Sequence, residues 1–93
     1  MAKQIIWTQK AFLDLRDIFD YNFSSFNPEA RIKIITDTAE TLSQYPKVGS
    51  RLPEFPSLDC YEIRAGNFRI VFRPTEDGTG VIILTVKHVR ALY

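Results

Sequence analysis

Ninety-three residues, 45% hydrophobic and 13% aromatic, make one small domain in which a few large side chains carry much of the burial. Twelve basic residues against eleven acidic ones leave +1, too even a balance to announce nucleic-acid or membrane binding by itself. A single cysteine and a single histidine exclude an internal disulfide and argue against a structural zinc site.

The charge is tilted along the chain. Residues 1–46 hold five bases against six acids, and residues 47–93 hold seven against five. The opening MAKQIIWTQK lacks the apolar segment of a signal peptide, and VIIL at 81–84 is far too short to span a bilayer. A cytoplasmic, reduced protein is the expectation, with one domain over 1–93.

Gln4–Trp7 reads as a short apolar strand. Thr8 is placed to cap a helix running to about Phe23, with Phe12, Leu15, Ile18 and Phe19 as its apolar stripe and Asp14, Asp17 and Asp20 outside it. SSFNP breaks the chain; Asn27 caps and Pro28 opens a second helix, with Glu29 in its first turn. Ile32, Ile35, Ala39 and Leu42 repeat at helical spacing, and the helix ends before Pro46. The short connection predicts an antiparallel helical hairpin.

Residues 45–57, with three prolines and a glycine, are expected to be a loop. Three strands follow, at about 59–65, 68–73 and 81–88. The last, apolar on both faces, reads as a central strand. Gly66-Asn67 is a two-residue hairpin turn, which pairs Ala65 with Phe68, Arg64 with Arg69, Ile63 with Ile70 and Tyr61 with Phe72. Tyr61, Ile63, Phe68, Ile70 and Phe72 then share one face; Glu62, Arg64, Arg69, Val71 and Arg73 share the other. The order is βααβββ, an α+β domain with the helical hairpin packed on one face of a small, mostly antiparallel sheet. Trp7, Phe12, Leu15, Ile35, Leu42, Ile63, Ile70 and Phe72 are the expected core.

Conventional enzyme motifs are missing: there is no phosphate loop, HExxH, CxxC or GxSxG. Cys60 reads as an inert thiol, and no cofactor or metal is implied. The one unusual feature is the arginine face. Arg64 and Arg69, directly opposed, repel each other unless an anion or acid lies between them. Arg73 shares that face, and Lys87, His88, Arg90 and Tyr93 follow on the neighbouring strand and its end. The plainer account is a solvated face with Glu62 and Glu76 as its counter-charges.

Four stretches, IIWTQKAFLDLRDIFDY, LSQYPKVGSRL with its Pro46-x-x-Gly49, YEIRAGNFRIVFR and ILTVKHVR, resemble the RelE/ParE superfamily over nearly the whole chain. That superfamily comprises the toxins of bacterial type II toxin–antitoxin pairs, and the resemblance implies a cognate antitoxin and a toxin–antitoxin hetero-oligomer. Its ParE-like branch poisons DNA gyrase by binding. Pro-x-x-Gly, the Phe-Arg-Ile core, histidine followed closely by arginine, Glu62 and the near-neutral charge favour that branch. Arg64, Arg69, Arg73, Lys87 and Arg90 would then meet the target. The alternative is a RelE-like, ribosome-dependent endonuclease of mRNA, metal-independent, with Arg64, Arg69, His88, Arg90 and Tyr93 as its implied catalytic set. A remnant that only binds antitoxin is the third reading. In each case the antitoxin is expected on the helical hairpin, at Phe12, Asp14, Asp17, Phe19 and Ile35, and at a sheet edge.

Overall fold

In the computed structural model, which describes residues 3–20, 28–45, 48–52 and 59–90, one threonine both starts the first helix and ties it to the sheet. The Thr8 hydroxyl accepts from the Ala11 amide at 3.1 Å, the N-cap bond, and donates to the Ile83 carbonyl at 2.8 Å. The elements are β1 (Gln4–Trp7), α1 (Gln9–Asp20), α2 (Pro28–Gln44), β2 (Ser50–Arg51), β3 (Tyr61–Ala65), β4 (Phe68–Pro74) and β5 (Gly80–His88). Residues 21–23 and the Asn27 cap lie outside the described residues; Pro28 is the first residue of α2, as its fixed φ favours.

The sheet runs β1-β5-β4-β3-β2, with β1 parallel to β5 and the other neighbours antiparallel. β5 lies inside the sheet, as its two apolar faces require. The β3–β4 register is the expected one, Arg64 opposite Arg69 included. Gly66 has φ +60 while no described non-glycine residue has positive φ, the pattern of a type II′ turn. Between β4 and β5 a bulge shifts the pairing from Val71↔Thr85 to Phe72↔Ile83, leaving Leu84 unpaired on β4.

The expected loop at 45–57 hides a fifth strand. β2 is two residues long and pairs Ser50 with Glu62 and Arg51 with Tyr61. Such a segment is below the reach of periodicity, but Gly49 marks it. A Cβ there would sit 2.6 Å from the Phe72 ring and 2.7 Å from the Glu62 carbonyl oxygen. Only glycine lets the chain lie this close to β3 and β4.

Ala11, Ile35, Ala39 and Leu42 from the helices meet Ile70, Phe72, Val81, Ile83 and Val86 from the sheet in one core. Trp7, Leu15 and Ile63 pack half-buried against it. Phe12 does not: it is 62% exposed, correcting its place among the core residues. The fully buried Ala11 sets the rotation of α1, and the next residue projects about 100° away from it. Where the helices meet, the buried Arg31 reaches back to α1, its Nη2 donating to the carbonyls of Ile18 at 3.2 Å and Phe19 at 3.4 Å. Those two carbonyls lie close to the last described residue of α1, so Arg31 ties that helix to α2.

Candidate functional site

Pairing across three strands places Arg64, Arg69 and Lys87 in one row, each directly opposed to the next. Three like charges at strand spacing repel, so the row needs a counter-ion. Glu62 supplies it. It pairs in register with Val71, diagonally from Arg69 on the same face. Its Oε2 accepts from Arg69 Nη1 at 2.9 Å, with side chains 15% and 10% exposed. A diagonal neighbour is within reach of long side chains, and a nearly dry pair is screened little by salt. Arg64 and Arg73 stay exposed on the same face, and Lys87 is half-buried.

His88 does not join them. It is the partner of Phe68, on the core side of β4, and its ring meets the Phe68 ring edge-on at 5.8 Å and 81°. Its Nδ1 accepts from the Arg90 amide at 3.3 Å. The expected grouping of His88 with the arginines is therefore corrected by strand alternation: residues 87 and 88 point to opposite faces. Arg90 is exposed in the turn after β5, and Tyr93 lies outside the described residues.

The five residues proposed to meet an antitoxin also divide. Phe12 and Phe19, seven apart on α1, are 62% and 44% exposed and share one stripe, with Asp17 exposed as well. Ile35 is fully buried in the core and cannot touch a partner. Asp14 is turned inward. Its Oδ2 accepts from the Val86 amide at 3.0 Å and from the Thr85 hydroxyl, and Oδ1 pairs with Lys10. Because β1 pairs with β5 only as far as Ile83, this carboxylate stands where the next strand residue would be. Burial pushes the Asp14 pKa up, but the hydrogen bonds from Lys10, Thr85 and the Val86 amide outweigh it and hold it below the ordinary value. The sequence held a signal for this clamp in the Lys10–Asp14 spacing of four, which allows a helical ion pair. It held none for the strand edge that the carboxylate caps.

At the opposite end of the sheet from the arginine row is a cavity of about 410 Å³, lined by Tyr61, Phe72, Pro74 and Val81 with Lys3 beside them. Tyr61 is held on its own account: its hydroxyl donates to Asp59 at 2.7 Å, and the Arg51 guanidinium lies 5.3 Å from its ring centre. The hydrogen bond to Asp59 is the main cause that raises the Tyr61 pKa above its ordinary value. No candidate residue is among the described residues that line this cavity. No described helix is long and apolar enough to cross a membrane.

The family model for the ParE toxin of the type II toxin–antitoxin system parDE matches residues 5–93. No curated protein matches. Among solved structures, the chain is similar to one from the chromosomal ParDE system of P. aeruginosa, at 24% identity over 94% of this chain and 96% of that one, TM-score 0.74. It is similar to one from the RelBE2 toxin–antitoxin complex of Mycobacterium tuberculosis, at 24% identity over 95% and 99%, TM-score 0.72. The archaeal RelE–RelB complex of Pyrococcus horikoshii gives 18% identity over 98% and 100%, TM-score 0.69. At these identities the structures share the fold with this chain.

Proposed function

The chain belongs to the ParE toxin family of type II toxin–antitoxin systems, and on that premise we propose that it arrests growth by binding DNA gyrase and is neutralised by a cognate antitoxin. The Glu62–Arg69 pair carries the choice of target. A nuclease of this kind needs cationic groups turned toward the scissile phosphate, together with a general base. Here the central arginine of the row is spent on a carboxylate 2.9 Å away, and the one histidine faces the other side of the sheet. What is left outward is a rim of Arg64 and Arg73, which suits acidic groups on a protein surface. Arg90 and Lys87 extend that surface at the end of β5.

The antitoxin reading rests on the Phe12–Phe19 stripe. A small domain that exposes two phenylalanines on one helix face carries an apolar patch of the kind that marks an interaction site. Asp17, exposed on another side of the same helix, offers a separate contact for a basic residue of the partner. Both partners place the protein in the cytoplasm.

Two assays on purified protein test this. Gyrase supercoiling should be inhibited, and mRNA on ribosomes should stay intact. Transcript cleavage that disappears in a folded Arg64→Ala variant would replace this reading with the endonuclease one.

A further inference from the structure

We infer that a second copy of this chain docks on the outer edge of β1, where the two β1 strands pair antiparallel about a twofold axis. This contact is independent of the target proposed above. Alternation fixes which backbone groups of β1 face outward. On the β5 side, the Gln4 amide donates to the Thr79 carbonyl and the Thr8 amide to the Ile83 carbonyl, each at 3.2 Å. The Lys3 amide, one residue back, turns the other way and donates to the Ser43 carbonyl at 2.7 Å. With a period of two, Ile6 bonds toward β5, and the N–H and C=O groups of Ile5 and Trp7 point away from the sheet. Among the described residues no strand lies beyond them, because β1 is the outermost in the order. The end of α2 closes the edge at Lys3, so the open stretch is Ile5–Trp7.

That stretch is complementary to itself. A twofold axis at Ile6 sets Ile5 opposite Trp7 of the copy, and Trp7 opposite its Ile5. Each of these pairs exchanges two hydrogen bonds, so every outward donor finds an acceptor. Ile6 then meets Ile6 of the copy in the closely spaced pair between them. Its side chain is 37% exposed, and the contact takes that apolar surface out of water. On the helix side, Ile5 and Trp7 form β-branched and aromatic cross-strand pairs, which stabilise sheets. The other edge of the sheet is unlike this one. β2 is only Ser50–Arg51, so its free edge is two residues long and carries a charge. β1 reads QIIW in an unbroken register with β5, without the charge, proline or bulge that keeps edge strands apart. Lys3 and Lys10 stand outside the paired stretch, so no like charges meet across it. So short an edge makes a small interface, of the weak and transient class.

Sedimentation velocity and amide hydrogen exchange test this on the full-length chain, at concentrations rising to about 1 mM. The mass should climb toward that of a dimer. Over the same range, exchange at the Ile5 and Trp7 amides should slow by at least about threefold, because these are the donors that the copy engages. Ile6→Lys places two ammonium groups face to face on the axis, which is destabilising. It should abolish both the rise in mass and the slowed exchange. Should Ile6→Lys fail to fold, Ile6→Cys carries the test. The Cα atoms of a closely spaced antiparallel pair lie about 4.5 Å apart, within disulfide reach, so mild oxidation should join two chains through position 6. A chain that stays monomeric up to about 1 mM would overturn the self-pairing. So would a dimer that a folded Ile6→Lys leaves intact, or, where that variant does not fold, the absence of a link through position 6. Protection of Ile5 and Trp7 that appears only when a different protein is added would overturn it too, by giving the edge to a foreign strand.

Discussion

Strand β4 is buried on both faces, and the two faces are buried by different means. Phe68, Ile70 and Phe72 lie on the side covered by the helices, where burial removes apolar surface from water. Arg69 and Val71 lie on the other side, 8% and 4% exposed, and there the dominant group is an ion pair. The first face tolerates exchange among side chains of similar volume, because packing asks mainly for size and apolarity. The second face depends on two particular partners. Losing Arg69 strands the Glu62 charge, whereas losing both together does not. One strand is thus held by apolar packing on one side and by a charge pair on the other, and substitutions should separate the two.

The largest effect is expected on the core face. Ile70→Ala, at a fully buried site, should cost about 2–5 kcal/mol of unfolding free energy by urea titration. On the other face, Arg69→Met leaves Glu62 nearly buried and alone, and should cost about 3 kcal/mol. Adding Glu62→Gln should recover most of that loss, while no second substitution on the outer face should rescue Ile70→Ala. Arg64→Ala, two strand positions from Glu62 and exposed, should stay within about 0.5 kcal/mol. An Arg69→Met cost as small as that of Arg64→Ala would erase the difference between the faces.

The contrast also explains what was legible in the sequence. The β3–β4 hairpin was readable down to its register, because a two-residue turn and a period of two leave no freedom once the apolar face is known. The opposition of Arg64 and Arg69 followed from that, and Glu62 could be named as a counter-charge. That the pair is nearly dry could not be read, since burial on the face away from the helices depends on tertiary packing that strand alternation does not encode. Helix α1 was harder. Six of its twelve residues are apolar, so the stripe is broad enough to permit several rotations about the axis, and Phe12 was assigned to the wrong side. The small Ala11 decided the rotation by letting the helix approach the sheet. β2 was invisible for the opposite reason, because two residues have no period. His88 was grouped by proximity in sequence when alternation separates neighbours in a strand.

The acids of α1 repeat the comparison on a smaller scale. Asp14 caps the Val86 amide at the open edge of β5, while Asp17, three residues on, is exposed. Asp14→Ala should cost about 1–2 kcal/mol, the size expected when a part-buried charged acceptor is taken from a backbone donor. Asp17→Ala should be nearly neutral in the isolated chain and should weaken the antitoxin complex. Phe12→Ser combined with Phe19→Ser should weaken that complex further at little cost in stability, because both rings already face water. A double serine variant that unfolds would show that the stripe belongs to the fold.

The smallest effect is expected at the end of β4, and it concerns pH. Asp77, in the turn to β5, accepts from the Thr79 amide at 3.0 Å, the Thr75 hydroxyl at 2.7 Å and the Thr79 hydroxyl at 2.8 Å. These bonds, the backbone one foremost, lower its pKa from 3.8 to about 2. A carboxyl whose folded pKa lies below its unfolded value binds protons more readily in the unfolded chain. Its contribution is therefore fully present above about pH 4 and is lost as the pH falls through about 2. Asp14, also lowered, acts with the same sign. Melting midpoints followed from pH 5 downward should fall less steeply in Asp77→Asn than in the unaltered chain, and less steeply in Asp14→Asn as well. Asp14 also holds helix to sheet, so its variant should start from a lower midpoint at pH 5. Asp77 organises only its own exposed turn, and its variant should start close to the unaltered one. Equal starting points for the two would mean that the clamp at the β5 edge contributes no more than an exposed turn does.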